Sequence, residues 1–160
     1  MQSSRPVRRV AELGSLGGIT RITHSRQMPK EISDAEFRGV TALTGPERYS
    51  HFVRQVADFQ EVWSLRTPGG WVSMGDDAGA RSIPVWPHRR YAEVFATGDW
   101  SDAEAAPIEM AAWMERWLPG MTGDGVQVAV FPIVANKEQG VVVPPEQLQR
   151  DLEQELEQYE

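Results

Sequence analysis

The chain has 160 residues, of which 41% are apolar and 24% are charged, and it contains no cysteine. This size and composition are typical of one globular domain with its own core. The missing cysteine excludes disulfide scaffolds, thiolate metal sites and cysteine nucleophiles. No apolar run approaches the roughly 20 residues that cross a bilayer, and the N-terminus lacks a signal-peptide core, so we expect a cytoplasmic protein without membrane contact.

The net charge of −7 is unevenly distributed along the chain. Residues 1–30 carry six basic groups and one acid, whereas residues 31–160 carry ten basic and 22 acidic groups. Because the first 27 residues are rich in Arg, Ser and Gly and lack aromatic side chains, they cannot offset the entropy of ordering. The sequence predicts a disordered basic tail over 1–30 and one folded domain over 31–160. A nucleic-acid arm, a targeting peptide and initiation at Met28 are alternative interpretations of the tail.

Two helices are predicted at the start of the domain. Ser33 and Glu36 form a capping box for a short helix through Val40. Gly45-Pro46 then begins a helix that runs to about Gln60. Its apolar residues recur at helical spacing and form one buried stripe, namely Tyr49, Phe52, Val53, Val56 and Phe59. Arg48, Arg54, Gln55 and Asp58 fall on the opposite side, which we expect to face solvent.

Three short strands follow at Glu61–Arg66, Trp71–Gly75 and Arg81–Trp86, and the turns between them predict an antiparallel meander. Pro84 cannot donate a backbone hydrogen bond, so the third strand is expected at an edge or to stop pairing there. Asp76-Asp77 lies in the second turn. We interpret this pair as turn residues, with catalysis or cation binding as the alternative.

The second half of the chain is predicted to contain three helices and two strands. Pro87 begins a helix with Tyr91, Val94 and Phe95 on one face, and Pro107 begins another that ends at Pro119-Gly120. Val126–Val134 is apolar on both faces and therefore predicts a central strand after the Asp124-Gly125 turn. Val141–Val143 is a further strand, and Pro144-Pro145 starts the last helix. The inward residues of the Pro107 helix and of the last helix are Met110, Trp113, Met114, Trp117 and Leu118, and Leu148, Leu152, Leu156 and Tyr159.

The predicted fold class is α+β. We expect a single domain with about five mainly antiparallel strands, consisting of the meander and two C-terminal strands, and four to five helices packed on them.

The sequence lacks the common motifs of enzymes and metal sites. It has no glycine-rich phosphate cradle, no His-Glu-x-x-His, no calcium loop and no Gly-x-Ser-x-Gly elbow. His24, His51 and His88 are too far apart in sequence to form a recognisable ligand set, so we expect no metal site and no cofactor.

Six tryptophans lie within 55 consecutive residues. Trp63, Trp71 and Trp113 follow apolar periods and are predicted to belong to the core. Trp86 and Trp100 lie at the ends of elements and are expected to be partly exposed, where they could line an aromatic groove.

The segment Trp86-Pro87-His88-Arg89-Arg90 is the candidate binding site with the most distinctive chemistry. His88, Arg89 and Arg90 fall in the first turn of a predicted helix, where the backbone already presents positive partial charge. Together with Trp86 they form a hypothetical site for an anion or for a partner's carboxylate. Ion pairs between these arginines and acids elsewhere are the alternative.

The last helix carries a strongly acidic surface. Six acids lie between Glu146 and Glu160 with Arg150 as the one base, and we single out Glu153 and Glu157 as a hypothetical face for a basic protein. A solvated surface that keeps the protein soluble is the alternative.

An ordered set of short motifs resembles the small bacterial family called domain of unknown function 2750. The resemblance covers about residues 31–160 and leaves out the basic start. A weaker topological likeness exists to enhanced-serine-sensitivity B type domains. The motifs are Glu36-Phe37, Glu47-Arg48-Tyr49, Phe52, Glu61-Val62-Trp63-Ser64-Leu65, Gly70-Trp71, Pro84-Val85-Trp86-Pro87-His88, Tyr91-Ala92, Thr97-Gly98-Asp99-Trp100, Trp117-Leu118-Pro119 and Val128-Ala129-Val130-Phe131-Pro132.

The resemblance implies a bacterial protein and supplies no catalytic residues. We therefore expect a non-enzymatic binding module of the cytoplasm, an adaptor or an immunity-type protein, that meets a basic protein partner. The folded domain is not expected to bind nucleic acid. The alternative is an enzyme or an anion-binding or small-molecule-binding protein that uses a pocket near Trp86–Arg90.

Overall fold

The structure of the protein is a computed structural model that describes residues 8–10, 31–75, 79–133 and 140–158. The described strands are β1 (Arg8–Val10), β2 (Glu61–Thr67), β3 (Gly70–Gly75), β4 (Arg81–Val85), β5 (Glu104–Glu109), β6 (Gln127–Val130) and β7 (Val141–Val143). The described α-helices are α1 (Asp34–Thr41), α2 (Gly45–Phe59), α3 (Arg89–Phe95), α4 (Met110–Ala112), α5 (Leu118–Asp124) and α6 (Pro145–Glu157). A π-helical turn (Trp113–Trp117) joins α4 to α5, and a 3-10 turn (Gly98–Trp100) follows α3.

The strands form one open, mostly antiparallel sheet in the order β5-β2-β3-β4-β6-β7, with β1 also paired to β3. The predicted meander is confirmed, because β2, β3 and β4 pair in sequence order and antiparallel. The strand β6 lies between β4 and β7, parallel to the first and antiparallel to the second. The α+β class and the inner position of β6 are therefore confirmed.

The strand β1 lies within the segment that the sequence predicts to be a disordered tail. Its three residues pair antiparallel with β3, from Arg8 opposite Ser73 to Val10 opposite Trp71. Strand pairing is made by backbone hydrogen bonds, which do not depend on side-chain type. The amino-acid composition of this segment therefore did not indicate a strand. The rest of the tail and the Asp76-Asp77 turn lie outside the described residues, and the predictions about them stay predictions.

The strand β5 was missed, and the predicted helix start at Pro107 is wrong. Pro107 lies inside β5, opposite Trp63 of β2, and the helix begins only at Met110. A proline is tolerated there because β5 is an edge strand that, among the described strands, pairs with β2 alone.

Pro84 occupies an inner strand, so its predicted edge position is wrong. The pairing of β4 with β3 does stop before it, at Ser82, while the pairing with β6 continues through Pro84 opposite Ala129. The Pro84 carbonyl points toward β2, where it accepts a hydrogen bond from the Ser64 hydroxyl at 2.6 Å. The nitrogen and the carbonyl of one strand residue face the same side of the strand. The Pro84 nitrogen therefore also faces β2, and its missing N–H removes no hydrogen bond to β6.

The first two helices begin as their sequences predict. The Ser33 hydroxyl accepts a hydrogen bond from the Glu36 N–H, and Thr44 and Glu47 form a capping box at the start of α2. The α2 stripe is buried at Phe52, Val53 and Val56. Capping and apolar spacing thus specify both helices locally.

The helical segment that starts at Met110 continues past its predicted end at Pro119-Gly120. It ends at Asp124, where Gly125 adopts the left-handed conformation with φ 70°. Before the proline, the Leu118 N–H bonds to the Trp113 carbonyl, which widens the turn. Since a proline ring collides with the carbonyl four residues earlier in a regular α-helix, this wider turn lets the helix continue.

One hydrophobic core joins the sheet to its helices. The helices α2 and α6 pack together, α6 also contacts α5 and β6, and α3 packs against β2 and β5. Trp113 is fully buried as predicted, whereas Trp63 is only partly buried. Val94, predicted to share one face of α3 with Tyr91, is 47% exposed, whereas Tyr91 is buried. No helix within the described residues has the length and apolar character needed to cross a membrane.

Candidate functional site

The Trp86–Arg90 segment links the end of β4 to α3. His88 is the N-cap residue of α3, and its Nδ1 accepts a hydrogen bond from the Arg90 N–H at 3.0 Å. The helix therefore begins at Arg89, two residues after the predicted start at Pro87. The imidazole thus caps the N-terminus of the helix, a role for which Ser, Thr, Asp and Asn side chains are preferred.

Trp86 is completely buried, so the prediction of partial exposure at this position is wrong. Its backbone pairs with Trp63 in both directions, at 2.9 and 2.8 Å. Its indole N–H donates to the Pro132 carbonyl at 3.0 Å, and its ring lies 5.2 Å from that of Phe95. Trp86 is a core residue because the chain continues into α3, which covers it.

The two arginines of the segment contact different groups. The Arg90 guanidinium binds the Asp34 carboxylate and the Ile32 carbonyl, each at 2.7 Å, and lies 4.5 Å from the centre of the Phe37 ring. This arginine joins the start of α1 to α3.

Arg89 is mostly exposed, pairs with Glu93 at 3.8 Å and lies over the Trp63 ring at 5.3 Å. The two arginines thus lie against different elements, Arg89 against β2 and Arg90 against α1. Anion binding by this segment stays a prediction.

A pair of glutamates lies beside this segment on the sheet. Glu61 of β2 is directly opposite Glu109 of the edge strand β5. Burial raises the pKa of Glu61, and the Glu109 charge adds to that shift, while a hydrogen bond from Trp63 and the charges of His88 and Arg89 oppose it. The sequence analysis missed this pair because β5 was not predicted.

Arg48 is 1% exposed, although the helical spacing predicts it on the solvent side of α2. Its guanidinium donates to the Leu43 carbonyl at 2.6 Å and to the Phe131 carbonyl at 3.2 Å. The long side chain thus reaches from α2 to the end of β6, which a helical projection of one element cannot reveal.

Phe131, immediately after β6, has φ 61°, a left-handed conformation that is uncommon for an aromatic residue. Its N–H bonds to the Val85 carbonyl, its carbonyl to Arg48, and the next carbonyl, that of Pro132, to Trp86. Three hydrogen bonds on two residues hold this strained junction in place.

A small apolar cleft lies between α1, α3 and this junction. Its volume is about 20 Å³, and Phe37, Tyr91, Val94 and Phe131 are among the residues that line it. The Tyr91 ring stacks on Phe37 at 5.4 Å and packs at 4.9 Å from Phe131. No sequence signal pointed to this cleft, because it is formed by residues that are up to 96 positions apart.

The helix α6 exposes three of its acids. Glu146, Glu153 and Glu157 are exposed, and Glu153 accepts a hydrogen bond from the Gln149 amide at 3.3 Å. Asp151 is half-buried and accepts a hydrogen bond from the Tyr49 hydroxyl of α2. Burial and this hydrogen bond raise the pKa of Tyr49. The predicted residues Glu153 and Glu157 therefore share one surface, and Asp151 serves the packing of α6.

Within the described ranges, no group of three or more His, Asp and Glu side chains is arranged to hold a metal ion.

A family model described as "Protein of unknown function (DUF2750)" matches residues 49–152. The chain belongs to this family. The match includes the sheet from β2 to β7 and most of α2 and α6, and it confirms the resemblance drawn from the sequence motifs. No curated protein and no solved structure matches the chain.

Proposed function

We propose that the protein is a non-enzymatic binding module whose α6 surface docks on a basic protein. The observation that carries this proposal is the row formed by Glu146, Glu153 and Glu157 on the exposed side of α6. Residues seven and four positions apart lie on one helix face, so the three carboxylates form a line about 16 Å long. We call this line the acidic row.

The acidic row is held on a fixed support. Leu148 and Leu152 are fully buried beneath α6, and the Tyr49 hydroxyl binds Asp151 at its flank. Because the helix is already ordered, a partner would meet a preformed row of charges and little conformational entropy would be lost on binding.

The like charges of the acidic row destabilise α6. Glu153 and Glu157 are like charges four residues apart, and no basic residue lies in the last turn of α6. Each such contact costs a few tenths of a kcal/mol. No described ion pair involves the row, and the exposed Arg150 lies on the same face of α6, so three acids against one base leave a net negative charge that would steer a basic partner toward α6.

A non-enzymatic role is supported by the contacts of three side chains that are strong hydrogen-bond donors. Arg48, Trp86 and Arg90 all donate to backbone carbonyls of distant segments. These groups hold the fold together, whereas the acids of the acidic row are exposed on α6. The proposal places the module in the bacterial cytoplasm, as an adaptor or an immunity-type protein.

The proposal is tested by affinity purification from the native cells with three forms of the protein. The wild type and a control variant, Glu104→Gln with Glu115→Gln, should recover the same basic protein, because both control glutamates are exposed outside α6. The variant Glu153→Gln with Glu157→Gln should lose that protein, and the wild-type yield should fall as salt rises from about 0.1 M to 1 M. Equal recovery by all three forms, or insensitivity to salt, would contradict the proposal.

A further inference from the structure

The described sheet ends at β5 on one side and at β7 on the other, and the two edge strands differ in length. The Phe131 N–H bonds to the Val85 carbonyl of β4, so the Val130 carbonyl on the opposite side of that peptide faces β7. The first and third residues of β7 then face β6, and Val142 turns its backbone groups outward. One outward residue is too few to hold an added strand, whereas β5 has six residues.

Alternate residues of β5 turn their backbone N–H and carbonyl groups toward β2. The Met110 N–H, immediately after β5, donates to the Gln60 carbonyl at 3.0 Å. In steps of two back along the strand, Ile108, Ala106 and Glu104 therefore face β2 as well. The other residues of β5 face away from the sheet.

Pro107 is the central one of the three residues that face outward, between Ala105 and Glu109. Its orientation also follows from Trp63, which lies opposite it in β2. Both backbone groups of Trp63 are bonded to Trp86, on the side away from β5. Among the described residues, the outward groups of Ala105 and Pro107 have no hydrogen-bond partner.

The outer edge of β5 is accessible to another chain. Glu104, Pro107 and Glu109 are exposed, and Ala105 is half-buried. An open edge of this length is a template for strand pairing. The occupant that it fits is a second copy of this chain, because two identical strands related by a two-fold axis pair antiparallel and offer each other the same groups.

One two-fold register brings the outward residues of two β5 strands together. Pro107 then lies opposite its counterpart in the second copy, and Ala105 lies opposite Glu109, so no two glutamates face each other directly. The two outer pairs would each exchange two hydrogen bonds. The central pair would exchange none, because proline has no N–H.

We propose that the outer edge of β5 is a latent interface between two copies of the chain, and that Pro107 keeps it closed by removing the two central hydrogen bonds. The inference does not depend on the proposed function, since the acidic row lies on α6. Any residue that supplies an N–H at position 107 should therefore make the edge pair with itself.

The test restores the missing N–H without adding apolar surface. Pro107→Thr supplies the N–H together with a residue favoured in strands. Glu104→Thr is the matched control, because it places the same residue at an exposed β5 position whose N–H faces β2. Analytical ultracentrifugation of the full chain over a wide range of concentration measures self-association. We expect Pro107→Thr to self-associate about 30-fold more tightly than the wild type, the value of two net hydrogen bonds, and Glu104→Thr to match the wild type.

A cysteine at the same position tests the register. The chain has no cysteine, so a disulfide formed by Pro107→Cys joins two copies. Residues that exchange hydrogen bonds across an antiparallel pair have Cα atoms about 5.5 Å apart, within the range of a disulfide. Under one oxidant, Pro107→Cys should form the linked dimer much faster than Glu104→Cys. Unchanged self-association in Pro107→Thr, an equal increase in Glu104→Thr, or equal rates of crosslinking at the two positions would overturn the proposal.

Discussion

Arg48 shows how one buried cation can organise distant parts of this chain. Its guanidinium is shared between the Leu43 carbonyl before α2 and the strained Phe131 carbonyl after β6. The ring of Phe131 also lies 5.9 Å from the guanidinium carbon. A positive charge can be buried here because backbone carbonyls and an aromatic face replace its water.

Replacing Arg48 with Met should destabilise the protein by about 2–3 kcal/mol, because the buried Phe131 carbonyl and the part-buried Leu43 carbonyl would lose their donor. The free energy of unfolding is measured by urea denaturation. Arg54→Met, on the exposed side of the same helix, is the control and should cost less than about 0.5 kcal/mol. Similar costs for the two variants would show that the carbonyl contacts of Arg48 contribute nothing.

Trp113 lies at the start of the π-helical turn, 5.7 Å from the ring of Trp117, and is fully buried. Trp113→Ala should cost about 3–5 kcal/mol through lost burial and a residual cavity. Trp113→Phe should cost much less, because the Trp113 indole N–H has no hydrogen-bond partner among the described residues. Denaturation curves give both values, and a loss below about 1 kcal/mol for the alanine variant would contradict the burial of this side chain.

At the residue scale, the sequence predicts burial well where one element decides it. Trp113, Phe52 and Leu148 follow from helical spacing alone. Arg48 and Trp86 were predicted wrongly because their environments are built by segments more than 40 residues away in the chain. No sequence pattern within α2 or β4 indicates those contacts.

At the scale of elements, the pairing of β2 with β5 places two glutamates opposite each other, and this arrangement destabilises the folded state. Glu61 and Glu109 face each other across the ladder, and burial raises the pKa of Glu61. Because the folded state holds this proton more tightly than the unfolded state, the resulting stability is present at acidic pH and is lost as the pH rises through the folded pKa.

Glu61→Gln should therefore raise the melting temperature at pH 7, where the wild type carries the unfavourable charge. The gain should shrink as the pH falls through the raised pKa of Glu61, because the side chain then takes up a proton. Thermal unfolding followed by circular dichroism between pH 4 and pH 8 measures the difference. Glu115→Gln, at an exposed position, should show no such pH dependence. A gain that is constant with pH, or a loss at pH 7, would rule out this penalty.

The same strand pair shows why some elements escape sequence analysis. The β5 sequence, Glu-Ala-Ala-Pro-Ile-Glu, has mostly poor strand formers, and its proline is typical of a helix start. It is a strand because β2 offers it a continuous ladder from Glu61 to Arg66. By contrast, α1, α2 and the β2–β4 meander carry their own caps, stripes and turns, and they form as predicted.

For the whole molecule, the alternation of elements predicts the α+β class but not how β6 joins the sheet. The parallel pairing of β4 and β6 depends on the chain crossing through α3, β5 and the helical segment from α4 to α5. Of the candidate sites, the α6 surface could be predicted because one helix builds it. The small apolar cleft lined by Phe37 and Tyr91 could not be predicted, because α1, α3 and the end of β6 contribute to it together.

The central claim is that α6 presents the acidic row to a basic protein. In-cell photo-crosslinking tests it directly, with p-benzoylphenylalanine at Gln154, an exposed residue beside Glu153 and Glu157, and at Glu104 on β5 as the control position. Mass spectrometry identifies the adducts. We predict that Gln154 captures one basic protein that Glu104 does not, and that the adduct disappears when Glu153 and Glu157 are replaced with Gln. An adduct that forms equally from both positions, that persists in the Gln variant, or that contains an acidic protein would contradict the claim.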